Sequence, residues 1–470
     1  MQFPPIIQGG MGISVSGWPL ARTVAQLGQI GVVSGTALDV IFARKLQMGD
    51  PGGHLHRALE HFPIKAVAQR VYDRYFTPNG KAANAPFRMS PVPTVEPSKA
   101  LVELTVVANF AEVYLAKEGH DGLIGINYLE KIQLPTLPSL LGAMLAGVNI
   151  VLMGAGIPRS IPGIMDKLAV GQAVEMRLDV EHAGDNNFFT YLDPAEIFEG
   201  PVPPMTRPHF FAIISSTLLA QTLARKATGK VNGFIVEGAT AGGHNAPPRG
   251  TTEYDENGEP IYGPRDIPDI AQIAAIGLPF WMAGNYGTPE KLAEARAMGA
   301  QGVQVGTAFA FCEESGMLPE FKKKALEMSR LGTASVFTDA RISPTGFPFK
   351  MLNLPGTLAI PEVYEARERI CDAGFLRHTY CKADGTVGYR CPSEPVEQYL
   401  RKGGTLEDTV RRGCVCNGLS ATVGLPQVRK DGYIEEAMIT AGNDAVNIKR
   451  YAREGEDSYT AEDVIKYLLS

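Results

Sequence analysis

Eight short apolar runs recur along the chain: Pro5–Gln8, Ile30–Ser34, Gly122–Ile126, Asn149–Met153, His209–Ile214, Gly233–Val236, Pro279–Met282 and Gly302–Val305. Most are followed by a segment with apolar residues at helical spacing: Leu20–Leu27, Leu137–Leu145, Ile161–Leu168, Thr217–Lys226, Ile267–Ala275 and Pro289–Met298. A strand buried on both faces needs a continuous apolar run, and eight such strands alternating with helices suit a closed parallel barrel. The expected fold is therefore α/β, a (β/α)8 TIM barrel. Pro289 directly after Thr288 reads as a helix start.

Two regions break the rhythm. An insertion at about 36–97, dotted with Pro and Gly, reads as loops with short helices. From 338 to 442 the sequence turns rich in Pro, Arg and Cys, densest at Arg341–Lys350, Tyr389–Pro395 and Gly413–Gly418. The division that follows is a barrel over 1–337, a Cys-containing lid or substrate lobe over 338–442, and a C-terminal helical tail over 443–470. The run Glu253–Glu259 contains Asn257-Gly258, which favours a tight hairpin, so its acidic residues are expected to be solvated.

Bulk properties narrow the function. With 470 residues, 45% of them hydrophobic, the chain can bury a full core. A net charge of −6 leaves no broad basic surface, which argues against nucleic acid as a partner. The start, Met1-Gln2-Phe3-Pro4-Pro5, has no basic region and no long apolar stretch, so no leader is expected and the location reads as cytoplasmic. The longest charge-free run, 132–158, is broken by Pro135, Pro138, Gly142, Gly147 and Asn149. It reads as a buried helix and a buried strand, not a membrane span.

Ligands of parallel barrels sit at the carboxyl ends of the strands, so the loops there carry the chemistry. Gly284-Asn285-Tyr286-Gly287 follows the seventh run and opens a helix, and Gly306-Thr307 follows the eighth. Each alone could be an ordinary turn; together they mark the position where barrels bind phosphate. Glu237-Gly238-Ala239-Thr240-Ala241-Gly242-Gly243-His244 follows the sixth run and sets a histidine on a glycine turn. A lone histidine is more often structural, but this one lies on the ligand-binding face and is of a residue type that ordinarily titrates near neutrality. Gln8-Gly9-Gly10-Met11-Gly12 ends the first run with room for a ring system against bare backbone.

Taken in order, Gln8–Gly12, Gly125-Ile126-Asn127, Glu237-Gly238, Ala241–His244, Ala283-Gly284 and Gly302–Thr307, with Glu314-Ser315 shortly after, resemble the nitronate monooxygenase family. That family, formerly called 2-nitropropane dioxygenases, is similar to FMN-dependent enoyl-acyl-carrier-protein reductases. The resemblance implies FMN, with its phosphate at Gly284, Asn285, Tyr286, Gly306 and Thr307. Gly9, Glu237 and Gln304 would complete its surroundings, with the isoalloxazine near Gly10, Met11, Asn127, Gly242 and Gly243. His244 corresponds to the family's active-site histidine. The implied reaction is oxidation of an alkyl nitronate by oxygen to a carbonyl compound and nitrite.

Two alternatives stand beside it. One is an NAD(P)H-dependent reductase acting on an enoyl thioester or a quinone at the same site; the other is a non-catalytic barrel binding a phosphorylated ligand. The partner is a small molecule in each case. The chain departs from the family at Asn285, where a second Gly is usual, although Asn tolerates positive φ. It departs again in its long C-terminal lobe.

Five of the six cysteines lie in the last quarter of the chain. Cys381, Cys391, Cys414 and Cys416 could form a four-ligand metal site, remain as reduced thiols or serve redox chemistry, and no metal is assigned. Arg341, Lys350, Arg390 and Arg412 could bind an acidic group or be ion-paired for structure. Cys312 reads as a core thiol.

Overall fold

The eight apolar runs form the eight strands of one parallel sheet: β1 (Ile6–Gln8), β2 (Gly31–Ser34), β3 (Ile124–Leu129), β4 (Ile150–Gly154), β5 (His209–Ile214), β6 (Gly233–Glu237), β7 (Phe280–Ala283) and β8 (Gly302–Val305). These assignments come from a computed structural model that describes residues 3–429 and 431–470; Met1 and Gln2, part of the segment read as lacking a leader, lie outside the described residues. The ladder runs from β2 in sequence order to β8 and on to β1. It closes where the Gln8 N–H donates to the Ile30 carbonyl at 2.9 Å and the Ile30 N–H donates to the Ile6 carbonyl at 3.1 Å. The expected (β/α)8 barrel is thus the fold.

Alternation within the continuous runs separates inside from outside. Ile7, Val32, Leu152, Phe211, Ile235 and Trp281 fill the barrel interior, all at 1% exposure or less. Their neighbours Ile6, Val33, Ile126, Phe210, Phe234 and Val303 pack outward on the helices. Burying a side chain of this size stabilises the fold by roughly 1.5–3 kcal/mol relative to exposure. Phe3 closes the amino-terminal end, edge-on to Phe211 at 5.3 Å and to Trp281 at 5.7 Å.

The helix after β2, Lys99–Lys117, lies where the sequence reading assigns no element. It is buried almost all round, including Glu103, Asn109 and Glu112, so it shows no polar stripe by which to recognise it. The three insertion helices Leu38–Gln47, His54–His61 and Lys65–Tyr75 pack on it. A second unexpected element, the hairpin Val174–Leu178 with Phe188–Leu192, interrupts the connection from β4 to β5. The tail helix Ala461–Leu468, capped by Thr460 and Asp463, packs against both Trp18–Gln26 and Pro289–Ala297. It takes the eighth place in the helix ring, so a division at 443 separates the barrel from a helix that completes it.

The 338–442 segment lies over the barrel mouth. Strand Val336–Asp339 pairs antiparallel with Phe349–Leu352, which pairs in turn with Gly243-His244 from the loop after β6. The boundary at 337/338 therefore falls inside a strand. No helix among the described residues is long and apolar enough to cross a membrane, and the 132–158 run is helix Thr136–Leu145 followed by β4, as expected.

Candidate active site

The carboxyl ends of β1, β3, β6, β7 and β8 open on one shared cavity. Gly9, Gly10, Met11, Asn127, Glu237, Gly242, Gly243, His244, Gly284, Asn285, Tyr286, Gln304, Gly306 and Thr307 all line it.

Its floor is shaped by side chains that hold the β1 loop. Fully buried Gln8 donates through Nε2 to the Gly9 carbonyl at 2.8 Å and to Ser16 Oγ at 3.0 Å, and accepts the Val32 N–H at 2.9 Å. Ser16 Oγ also accepts the Met11 N–H at 2.9 Å. The glycines there leave room for side chains: a Cβ on Gly10 would stand 1.9 Å from Asn127 Oδ1, and one on Gly306 2.8 Å from Met11 Sδ, so either substitution would have to displace that side chain. Asn127 Oδ1 is buried without a hydrogen-bond partner among the described residues, an expensive state for an amide unless something else donates to it.

At the opposite end Gly284 (φ 88°) and Asn285 (φ 59°) are both left-handed, so Asn285 adopts the conformation that the usual Gly would take. The N–H groups of Asn285, Tyr286 and Thr307 donate to no backbone carbonyl among the described residues. Asp444 lies at this end, its carboxylate 3.0 Å from the Arg450 guanidinium and 3.2 Å from the Tyr451 hydroxyl. Burial raises its carboxyl and Arg450 opposes the rise. A glycine-lined floor, an unpartnered amide oxygen and free N–H groups at a glycine turn suit a planar phosphorylated ligand.

His244 keeps only the surface it shows to this cavity and to an adjoining hollow lined by Tyr262 and Arg249. Its Nε2 lies 2.7 Å from Ser343 Oγ, and the Phe349 ring meets it edge-on at 4.8 Å. Burial lowers the imidazole to about 4, so it is neutral at pH 7. Burial raises Glu237, in the same cavity, to about 7.

The lobe adds an apolar wall of Phe349, Phe375, Leu376, Val415, Cys416 and Leu419. It also explains Gly242, where a Cβ would stand 2.6 Å from the Ala441 carbonyl carbon and the Gly442 nitrogen. The Gly442 N–H donates to Thr307 Oγ1 at 2.9 Å and the Asn443 N–H to the Thr240 carbonyl at 3.0 Å. Part of the glycine turn after β6 thus makes room for another stretch of backbone. Ser16, Ser343 and Asp444 carried no local signal as site residues, and Gln8 was read only as the head of the Gln8–Gly12 loop, not as the side chain that holds it; of the other three, only Ser343 fell in a stretch marked by composition, Arg341–Lys350.

Two sets of residues were left with open alternatives by the sequence. Cys381, Cys391, Cys414 and Cys416 do not converge on a metal geometry, and among the described residues no group of three His, Cys, Asp or Glu side chains does. Cys381 stays on its hairpin, its thiol 3.6 Å from the Lys382 carbonyl, while Cys391 has Cys371 as its thiol neighbour. Burial raises Cys414 strongly and Cys416 to about 12, keeping both protonated. Of the basic residues read as either binding an acidic group or ion-paired for structure, all four have structural partners: Arg341 pairs with Glu407 at 2.6 Å, Arg390 with Glu181 at 2.6 Å, Lys350 donates to Asn443 at 2.6 Å, and Arg412 donates to backbone carbonyls. Cys312 is buried, as expected, its thiol 3.1 Å from the Phe309 carbonyl.

Residues 207–340 match the family model described as nitronate monooxygenase. The chain is 36% identical over 100 residues to a probable nitronate monooxygenase of Bacillus subtilis, covering 21% of this chain and 27% of that protein. It is 28% identical over 172 residues to a nitronate monooxygenase of Pseudomonas aeruginosa, covering 35% of this chain and 47% of that protein. The matched stretches span about a quarter to a half of these relatives' lengths. Among solved structures, FabK from Thermotoga maritima is similar with a TM-score of 0.49 at 15% identity, covering 99% of this chain and 91% of that one.

Proposed function

We propose that the chain, whose residues 207–340 match the nitronate monooxygenase model, is an FMN-dependent oxidoreductase that oxidises alkyl nitronates with oxygen to a carbonyl compound and nitrite. The observation that carries this reading is the neutral His244 in the same cavity as a glycine floor and the unpartnered Asn127 amide. Gly284, Asn285, Tyr286, Gly306 and Thr307 would hold the FMN phosphate. Gly9, Gly10, Met11, Asn127, Glu237, Gly242, Gly243 and Gln304 would surround the rest of it. Bound there, FMN supplies the electron acceptor that no side chain provides.

The protein's own part is orientation and electrostatics. With Nε2 engaged by Ser343, Nδ1 of His244 is the ring nitrogen left for a ligand. It offers a nitro oxygen one N–H hydrogen bond and no full charge. Glu237 is neutral below about pH 7 and anionic above it, so an anionic substrate meets less repulsion on the acid side. The wall of Phe349, Phe375, Leu376 and Val415 takes the alkyl group and keeps water from it.

One observation favours a second reading. Ile132, Phe375 and Leu376 line both the cavity and an outer groove beside it, a path along which a substrate longer than a small nitronate would extend. An NAD(P)H-dependent reductase acting on an enoyl thioester or a quinone would use that room. An absorption spectrum under argon separates the two. Bleaching of flavin bands by ethylnitronate and not NADPH supports the monooxygenase, bleaching by NADPH supports the reductase, and a protein that never carries a flavin chromophore contradicts both.

A further inference from the structure

The imidazole of His244 is half-buried, and its Nε2 is taken up by the lobe loop, so a proton gained or lost at Nε2 has to pass through that loop. Its Nε2 touches Ser343 Oγ at 2.7 Å, and Ser343 Oγ lies 2.8 Å from Thr345 Oγ1. Ser343 is fully buried, whereas Thr345 is partly exposed and lines the outer groove. We propose that Ser343 and Thr345 form a hydroxyl relay that carries protons between His244 and water in that groove. The proposal rests on the reading that gives His244 a role in the reaction.

The hydrogen-bonding capacities of the two hydroxyls allow the relay to run in either direction. Ser343 Oγ accepts the Thr345 N–H at 3.3 Å, and Thr345 Oγ1 accepts the Phe347 N–H at 3.3 Å. In one arrangement His244 Nε2–H donates to Ser343 and the Ser343 hydroxyl donates to Thr345. In the other, the Thr345 hydroxyl donates to Ser343 and the Ser343 hydroxyl donates to an unprotonated Nε2. Each oxygen has one donor and two acceptor sites, so neither arrangement leaves a clash or an excess proton. Outward transfer moves the Nε2 proton to Ser343 Oγ, the Ser343 proton to Thr345 Oγ1, and the Thr345 proton to water. One proton leaves as Nδ1 gains one, and no electrons move.

The loop that carries the hydroxyls is fixed more firmly than a surface loop needs to be. Asp339 Oδ1 accepts the N–H groups of Arg341 at 2.8 Å and Ile342 at 3.0 Å, and the Gly413 N–H donates to the Ile342 carbonyl at 2.9 Å. Arg412 donates to the Arg341 and Ser343 carbonyls, both at 2.5 Å, and His378 Nε2 donates to the Pro344 carbonyl at 2.6 Å. Such clamping keeps the Ser343 and Thr345 oxygens within transfer distance, as a relay requires.

The test uses the full chain with histidines labelled by ¹⁵N and follows exchange of the His244 ring N–H with D2O, with His244→Asn identifying the signal. Thr345→Val should slow this exchange about tenfold or more, and Thr345→Ser, which restores the hydroxyl, should return it to within about twofold of the parent. A loop loosened by the substitution would exchange faster, so slowing is the signature of a lost relay. An exchange rate unchanged or increased in Thr345→Val, with His244 still folded against Phe349 by its ring-current shift, overturns the proposal. Should Thr345→Val perturb that packing, Ser343→Ala is read by the same criterion. Turnover of His244→Asn is measured separately: full activity there overturns the role of His244 itself, whatever the exchange rates show.

Discussion

The barrel and the lobe above it are held together by different physics. In the barrel, apolar interior residues such as Phe211, Ile235 and Trp281 meet across a closed backbone ladder, and hardly any charge is buried among them. In the lobe, guanidinium groups take the place of a ladder. Arg367 and Glu435 form an ion pair at 2.8 Å with side chains 4% and 1% exposed, Arg369 reaches the carbonyls of Pro392, Glu394 and Thr409, and Arg429 pairs with Asp372. A barrel of this kind tolerates polar variation around it. A lid clamped by charges keeps its shape only while each partner is present, because a lone buried charge costs far more than the pair contributes.

The largest effect should come from breaking the deepest of those pairs. Arg367→Met leaves Glu435 buried and unpaired and should destabilise the lobe by about 3–5 kcal/mol in urea denaturation, while Arg367→Met with Glu435→Leu recovers most of the loss. A cost below about 1 kcal/mol for the single change would erase the contrast with the barrel.

Next in size is His244→Asn, on the seam between the two regions. It should cut turnover by about 100-fold, roughly 2.7 kcal/mol, with FMN still bound. Steady-state kinetics on the yellow protein checks this, and unchanged turnover would make the seam merely structural.

A smaller effect concerns pH. Burial raises Glu237 from the usual carboxylate range, near 4.5, to about 7, so the folded protein holds a proton there that the unfolded chain has lost between those values. That contribution to stability is full below about 4.5 and lost as pH rises through 7. His244, lowered from 6.5 to about 4, has the opposite sign: the unfolded chain binds the extra proton, so stability rises with pH across that window. Denaturation at pH 5 and pH 8 should show Glu237→Gln losing about 1–3 kcal/mol less than the parent over that interval. Equal pH dependence of the two proteins would place Glu237 in water.

The smallest effect sharpens the contrast from within the lobe. Arg341 and Glu407 pair at 2.6 Å with side chains 48% and 73% exposed, so Arg341→Ala should change stability by less than about 1 kcal/mol in the same denaturation assay. A larger loss would mean that exposed charges also clamp the lid.

The same contrast explains what could be read from the sequence. Barrel strands announce themselves locally, because a strand buried on both faces is a continuous apolar run that ends in a turn; all eight were legible, and with them the glycine loops at their ends. Lys99–Lys117 was not, since a helix buried on every side loses the polar stripe that marks it. Contacts between distant segments leave even less trace. Gly243-His244 pairs with Phe349–Lys350, Ser343 meets His244 across 99 residues, and Gly242 is small because Ala441 and Gly442 cross it. Cysteine spacing was silent for the same reason: a sequence interval does not reveal that Cys371 is the neighbour of Cys391 and that Cys381 is elsewhere.

A flavin site cut to shape by glycines at the barrel mouth is tested by titration of FMN, followed by its fluorescence, into flavin-free protein and into Gly10→Ala. The parent chain should quench FMN stoichiometrically and Gly10→Ala should bind it at least about tenfold more weakly, since its added Cβ would be 1.9 Å from Asn127 Oδ1 unless one of them moved. No quenching by the parent, or equal affinity in both proteins, would contradict it.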